Sequence, residues 1–147
     1  MHRLLFGACL TCAITGSIFT GSVWAHDDNK IIVETLTKTS QSWDGETLPA
    51  YEAGQPEITM LKFTIPAKTR LKTHRHPFIN AGILLKGELT VFTEDNKTLH
   101  LKAGDTIVEL VNRWHYGANE GDEPAEIIIF YAGQQGMPIT IIKSASD

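Results

Sequence analysis

The sequence predicts an all-β domain, a sandwich or barrel of short antiparallel strands. From Glu57 onward, short runs of alternating or continuous apolar residues follow one another along the chain. Clusters of turn-forming residues separate these runs at frequent, fairly even spacing, and no segment sustains a helical period. Short strands with regular turn signals are typical of β-sandwiches and β-barrels.

The first 25 of the 147 residues are predicted to be a secretory signal peptide. His2 and Arg3 precede a long run of apolar and small residues, and residues 23–25 (Val-Trp-Ala) place small side chains where a signal peptidase cleaves. A membrane anchor and lipidation at Cys9 or Cys12 are the alternatives. Gly and Thr interrupt the run, and it continues well past both cysteines, so the sequence favours cleavage.

Cleavage after residue 25 would leave a single domain without thiols, because both cysteines lie in the signal peptide. The net charge would shift from −4 to −5, since Arg3 is lost and no acidic residue is. A mildly acidic chain argues against a nucleic-acid partner, which would require a basic stripe. We therefore expect a periplasmic or secreted protein that has no membrane association after cleavage.

The mature chain is predicted to begin with an N-terminal strand and arm over residues 26–56. Residues 31–37 are the candidate strand. Residues 39–56 are rich in turn formers and carry no period, which is typical of an ordered arm or loop.

The barrel domain is predicted over residues 57–142. Leu61, Phe63 and Ile65 alternate with polar residues, as in a half-buried strand. Further candidate strands cover residues 69–76, 79–85, 88–93, 98–101, 106–111, 114–118, 125–132 and 138–142. Turns are predicted at Lys86-Gly87, as a hairpin, and at residues 94–97 and 102–105.

Two of these strands, over residues 79–85 and 125–132, are apolar on both faces. In an antiparallel sheet this pattern means that the outer face is also covered. A second copy of the chain or the arm over residues 39–56 would cover it, and we expect a homodimer.

The sequence predicts a metal site at His74, His76 and His115. Residues i and i+2 of a strand point to one face, about 6.6 Å apart, so His74 and His76 can converge on one ion. His115, at the start of another candidate strand, is the best third ligand. Three protein ligands leave open coordination positions, as catalytic metal sites require. A surface His-X-His without function is the alternative for the first pair alone.

The spacing around these histidines resembles the two motifs of the cupin superfamily. The first, G-x5-H-x-H-x3-E-x6-G, matches at His74, His76 and Gly87, with Lys68 replacing the initial Gly and Asn80 the Glu. The second, G-x5-P-x-G-x2-H-x3-N, matches at Gly104, His115 and Asn119, with Leu110 and Asn112 replacing Pro and the second Gly. Sixteen residues, 88–103, lie between the motifs.

The resemblance implies an antiparallel double-stranded β-helix, the jelly-roll barrel of cupins, with one divalent transition metal inside. Zn, Fe, Cu, Ni and Mn stay open, because sequence does not name the ion. Asn80 would offer a neutral amide oxygen, as a ligand or through a hydrogen bond. Phe78, Trp114 and Tyr116 flank the ligands and are predicted to line the pocket. Glu109 is expected to face outward, because Val108 and Leu110 flank it.

Three functions are compatible with this reading, because cupins catalyse many reactions. The first is a metal-dependent enzyme on a small molecule, of dioxygenase, isomerase or lyase type. The second is a non-catalytic module that binds a small ligand or a metal. The third is a metal-free isomerase with one of the histidines as general base.

Overall fold

The structure is a computed structural model that describes residues 30–146. Within this part of the chain there is no helix, and the regular elements are ten strands. They are β1 (Pro56–Ile65), β2 (Thr69–Arg70), β3 (His74–Arg75), β4 (Asn80–Lys86), β5 (Glu88–Thr93), β6 (Thr98–Lys102), β7 (Thr106–Val108), β8 (His115–Asn119), β9 (Ala125–Gln134) and β10 (Ile141–Ile142). The predicted signal peptide lies outside the described residues, and its cleavage stays a prediction.

The strands form two antiparallel sheets. One has the order β1-β9-β4-β7, and the other has the order β10-β3-β8-β5-β6, with β2 paired to β8. Buried apolar side chains from both sheets form one core cluster, to which β9 contributes Ile127 and Ile129 and β5 contributes Leu89 and Val91. The two facing sheets confirm the predicted all-β jelly-roll architecture.

Strand β9 forms the centre of the first sheet. It pairs with β1 over all ten residues of both strands, and with β4 on its other side. Its backbone and that of β4 lie close together at Gly82, where a Cβ atom would meet the carbonyl oxygen of Ile128 at 2.6 Å. Glycine is therefore required at this position of the sheet.

The connection at Lys86-Gly87 differs from the predicted hairpin. Strand β4 pairs with β7 and β9, whereas β5 pairs with β6 and β8, so this turn carries the chain from one sheet to the other. Gly87 has a φ of 75°, which a larger residue adopts at a cost. The turn at residues 94–97 does join a hairpin, formed by β5 and β6.

The strand predicted over residues 31–37 does not form, and Ile31, Ile32 and Val33 are exposed. The arm that follows makes defined contacts within itself and with the barrel. Its residues 41 and 47 form a β-bridge, and the backbone N–H of Trp43 donates to the carbonyl of Val108 at 2.9 Å. The arm thereby extends the β7 edge of the first sheet, where the Trp43 side chain packs against the core.

The outer face of the first sheet remains largely uncovered. Ile58 is 56% exposed, Met60 is 64% exposed and Phe130 is 40% exposed. The arm borders this face with Pro49, Tyr51 and neighbouring residues but does not bury it. Residues 30–146 contain no helix long and apolar enough to cross a membrane.

Candidate metal centre

The three predicted histidines come together at one end of the second sheet. His74 in β3 and His115 in β8 are direct partners across an antiparallel pair. His76 follows β3 and forms a parallel bridge with Val111, and its carbonyl accepts the N–H of Asn112 at 2.7 Å. The loop that precedes β8 is therefore tied to the segment that carries the first two histidines.

The imidazole rings are packed against one another. The ring centroids are 4.9 Å apart for His74 and His76, 4.6 Å for His74 and His115, and 5.2 Å for His76 and His115. His76 and His115 are almost fully buried, and His74 is half-buried. One ligand atom from each ring and one carboxylate oxygen of Glu109 all lie within 4.8 Å of one another.

Each ring has its Nδ1 atom against a backbone carbonyl. The distances are 2.7 Å from His74 to the oxygen of Lys72, 2.9 Å from His76 to that of Ile139, and 2.9 Å from His115 to that of Arg113. A carbonyl oxygen only accepts, so every Nδ1 must carry a hydrogen and donate it. Each ring thus keeps its hydrogen on Nδ1 and presents Nε2 to the centre of the site, which is the arrangement found around metal-bound histidines.

Glu109 is the site residue that the sequence reasoning placed wrongly. Its Oε2 atom lies 2.8 Å from Nε2 of His115 and 3.4 Å from Nε2 of His76, inside the barrel. The prediction took the apolar Val108 and Leu110 to mark the inward face, but Ile107 of β7 belongs to the core cluster, and alternation from Ile107 places Glu109 on that same inward face. An acidic residue within the apolar run of residues 106–111 was the available signal, because a carboxylate there must find partners.

The pKa values of these groups reflect their mutual contacts. Burial alone would raise the pKa of Glu109, but hydrogen bonds from His115 and His76 lower it well below its usual range. Burial would lower the pKa of His115, yet the hydrogen bond to Glu109 raises it. Burial lowers the pKa of His74. In the absence of metal, these opposite shifts favour an ion pair between His115 and Glu109.

These donors fit a divalent transition metal. Because Nδ1 of His115 donates to a carbonyl, its Nε2 can contact Glu109 only by carrying a second proton. A cation placed among the Nε2 atoms would replace that proton and accept the Glu109 carboxylate as a fourth ligand. Three imidazole nitrogens and one carboxylate suit Zn, Fe, Mn, Ni or Cu.

Asn80 lies on β4, opposite Tyr131 of β9, and is 1% exposed. Its Nδ2 atom donates to the carbonyl of Phe78 at 3.3 Å, and its Oδ1 atom is buried without a hydrogen-bond partner among the described residues. A buried, unpaired carbonyl oxygen is unfavourable and suits contact with a bound group. Its predicted role as a metal ligand stays a prediction.

The three aromatic side chains predicted to line the pocket lie elsewhere. Trp114 and Tyr116 flank the inward His115 and therefore point outward, where Arg75 stacks on Trp114 and Arg70 on Tyr116. Phe78 is buried behind a depression on the outside of the first sheet, beneath the arm. None of the three contributes to the wall of the cavity that contains the histidines.

That cavity has a volume of about 310 Å³ and opens to the surface. Apart from the four metal-site residues, most of its wall is apolar, and the main contributors are Ile65, Leu71, Leu89, Val91, Ile127 and Ile129. Tyr131 and Thr140 add two hydroxyl groups, of which that of Thr140 lies 3.2 Å from Nδ1 of His76, and Lys72 adds an amine. Burial raises the pKa of Tyr131, so its phenol stays protonated and can donate a hydrogen bond.

Known proteins share this fold. A family model described as a cupin domain matches residues 61–131. An oxalate oxidase solved with the substrate analogue glycolate aligns with a TM-score of 0.50 and 24% identity, covering 58% of this chain and 45% of that chain. A variant of oxalate decarboxylase from Bacillus subtilis aligns with a TM-score of 0.50 and 23% identity, covering 58% of this chain and 23% of that chain.

The DMSP lyase DddQ from Ruegeria pomeroyi aligns with a TM-score of 0.49 and 18% identity, covering 62% of this chain and 44% of that chain. No curated protein sequence matches the chain. This chain covers less than half the length of each of these three structures, and at such identities the likeness concerns the fold alone. The barrel, the two motifs and the family match together show that the chain belongs to the cupin superfamily.

Proposed function

We propose that this cupin is an exported metal-dependent enzyme that acts on a small molecule, with its metal held by His74, His76, His115 and Glu109. The observation that carries the proposal is the orientation of the three rings, each held by an Nδ1 hydrogen bond to a backbone carbonyl with Nε2 at the centre. Such fixed rings lose little entropy on binding a metal.

The bound metal would act as a Lewis acid on a substrate oxygen, or activate dioxygen if it is iron or copper. The chain itself supplies the surroundings of the reaction. The apolar wall excludes water, the protonated Tyr131 phenol can donate a hydrogen bond, and Glu109 lowers the net charge of the site. Oxidation, isomerisation and lyase chemistry all suit such a site.

A non-catalytic binding module is the second candidate. It is favoured by Asn80 at the position where cupins commonly have Glu, because an amide cannot accept a proton as a base. In addition, Glu109 already contacts two histidines and would be engaged by the metal. The cavity then lacks an acidic residue free for proton transfer among residues 30–146.

Elemental analysis of the purified, untagged protein tests the metal centre. We expect about one equivalent of a transition metal, lost when His74, His76 and His115 are all changed to Ala. His100→Ala is the matched control, because His100 is exposed on β6 and bonds only to Thr90. A wild-type protein that binds no transition metal at any pH would contradict the proposal. Turnover of candidate substrates, with oxygen uptake, then separates enzyme from binding module.

We also propose a homodimer formed through the outer face of the first sheet. The support is the apolar, uncovered surface that contains Ile58, Met60 and Phe130. Phe130→Glu should convert the dimer to a monomer in light scattering after size-exclusion chromatography. Met137→Glu is the control, since Met137 is 52% exposed outside this face. A wild-type monomer at high concentration would exclude the dimer.

Export is proposed from residues 1–25 alone. N-terminal sequencing of protein recovered from the periplasm or medium should find His26 as the first residue. Recovery in the cytoplasm with the intact N-terminus would rule it out.

A further inference from the structure

The size and the lining of the metal-site cavity indicate which kind of ligand it accepts. Its volume of about 310 Å³ corresponds to roughly ten water-sized groups at about 30 Å³ each. Beyond the metal-site residues, the side chains of residues 30–146 that line the wall offer hydrogen bonds only through Tyr131, Thr140 and Lys72, and the Thr140 hydroxyl already contacts Nδ1 of His76. A ligand with several polar groups would have to bury most of them against Ile, Leu and Val side chains, which is unfavourable.

The surface beside the cavity is basic, although the whole chain has a net charge of −4. A surface groove next to the cavity shares Leu71, Lys72 and Ile142 with it. The groove is also lined by Arg70 and Lys143, and no carboxylate of residues 30–146 lines it. Cations around an opening raise the local concentration of anions and favour their entry.

Lys72 is the cation at the junction of groove and cavity. Arg70 stacks on the Tyr116 ring, and Lys143 pairs with Glu94, so both are engaged elsewhere. None of the ion pairs formed within residues 30–146 includes Lys72. Its backbone carbonyl accepts the Nδ1 hydrogen of His74, which places the residue directly beside the metal site.

We infer that the cavity binds a small organic monoanion with an apolar body, such as a medium-chain carboxylate, and that Lys72 selects for its negative charge. The inference rests on the proposed metal centre, because a divalent ion with one carboxylate ligand keeps a net positive charge that an anionic ligand balances. The apolar wall holds the body of the ligand, and Lys72 accounts for the preference for an anion over a neutral molecule.

Calorimetric titration of zinc-loaded protein tests the inference with acetate, butyrate, hexanoate, hexanamide and oxalate. We expect each added methylene of the carboxylates to tighten binding by about fourfold until the cavity is filled. Hexanoate should bind at least tenfold more tightly than hexanamide and more tightly than oxalate. A series without chain-length dependence, or oxalate as the tightest ligand, would overturn the inference.

Two variants test separately how the charge and the apolar body of the ligand are recognised. Lys72→Met should reduce the preference for hexanoate over hexanamide by about tenfold while the methylene increment persists. Lys102→Met is its control, because Lys102 is exposed on β6 and does not line the cavity. Gly117→Val, which adds methyl groups between Leu71 and Leu89, should remove the methylene increment. The zinc content of each variant verifies that the site is intact.

The metal centre and the ligand class can fail separately. Protein that takes up zinc but binds none of the carboxylates keeps the metal centre and refutes the inferred ligand. The opposite result is protein that takes up no zinc, yet binds longer carboxylates more tightly and prefers them to hexanamide. If Lys72→Met removes that preference, the metal centre is refuted and the ligand class is supported. An unchanged preference in Lys72→Met shows that Lys72 does not select the charge.

Discussion

Asp44 binds the guanidinium group of Arg113, whose backbone carbonyl accepts the Nδ1 hydrogen of the metal-site residue His115 at 2.9 Å. The Asp44 side chain has no exposed surface, and it also accepts from Ser42 and pairs with Lys97. Asp44 lies in the N-terminal arm, 69 residues before Arg113 along the chain. The arm is thus connected to the metal site through one ion pair and one hydrogen bond.

Asp44→Asn should weaken both folding and metal binding. The substitution leaves Arg113 without its buried partner, so we expect a loss of about 2 kcal/mol in the free energy of unfolding. Because the Arg113 carbonyl that orients the His115 ring is then held less firmly, metal affinity should fall by about tenfold. Urea denaturation and competition with a chromogenic chelator measure the two effects. As a control, Asp95→Asn removes only the exposed partner of Arg113 and should change neither the folding stability nor the metal affinity. A metal affinity unchanged in Asp44→Asn would show that the arm does not orient His115.

Much of the fold and part of the site could be predicted from the sequence. Local patterns located the strands of the barrel, although the run predicted over residues 69–76 forms the two short strands β2 and β3, and two motifs in register brought His74, His76 and His115 together. The prediction of a hairpin at Lys86-Gly87 was wrong. The sequence of a short turn between two apolar runs does not show whether the two strands pair within one sheet or belong to different sheets.

The remaining differences concern which face of a strand points inward. Glu109 points inward because it lies two residues after the buried Ile107, whereas the apolar character of Val108 and Leu110 suggested the opposite face. Trp114 and Tyr116 point outward because alternation does apply beside the inward His115. The contact between Asp44 and Arg113 depends on how the arm folds back, and no periodic pattern in the arm predicts it.

The metal-free protein should lose stability as the pH rises above 6.5. The pKa of His115 is raised above its usual 6.5 by Glu109, so the stability from this pair is fully present below 6.5 and lost as the pH rises through the raised pKa. The pKa of Glu109 is lowered from 4.5, so its contribution is present above 4.5 and lost in acid. Urea denaturation between pH 5 and 9 measures the loss, and Glu109→Gln should abolish it. An equally steep loss in that variant would assign the effect to other groups.

Metal binding should release about one proton near pH 6, because the metal displaces the second hydrogen of His115. Calorimetric titrations in buffers with different ionisation enthalpies give the number of protons released. The number should fall toward zero as the pH rises above the pKa of His115, and metal affinity should rise over the same range. Metal affinity independent of pH between 6 and 8 would contradict an ion pair at this site.

Lys68 occupies a conformation that favours glycine. It has a φ of 56° at the position of the first glycine of the cupin motif, and its side chain reaches the carbonyl of Glu120. Lys68→Gly should therefore be more stable than Lys68→Ala by about 1 kcal/mol, because both lose the side-chain contact and only glycine relieves the backbone strain. Thermal and urea denaturation of the two variants give the difference. An Ala variant as stable as the Gly variant would show that the position is unstrained.

We expect that the carboxylate of the metal site can be moved from Glu109 to position 80. Glu109 supplies it in this chain, whereas Asn80 occupies the position where the cupin motif has Glu, with a buried Oδ1 atom that has no partner in the described structure. Glu109→Gln should lower metal affinity by roughly ten- to a hundredfold, because the three histidines remain but the anion is lost. Adding Asn80→Glu to that variant should restore most of the affinity. Asn80→Ala is the control for packing at this position and should lower folding stability without abolishing metal binding. If the double variant binds metal no better than Glu109→Gln alone, the side chain at position 80 does not reach the metal. The carboxylate ligand can then come from position 109 but not from position 80.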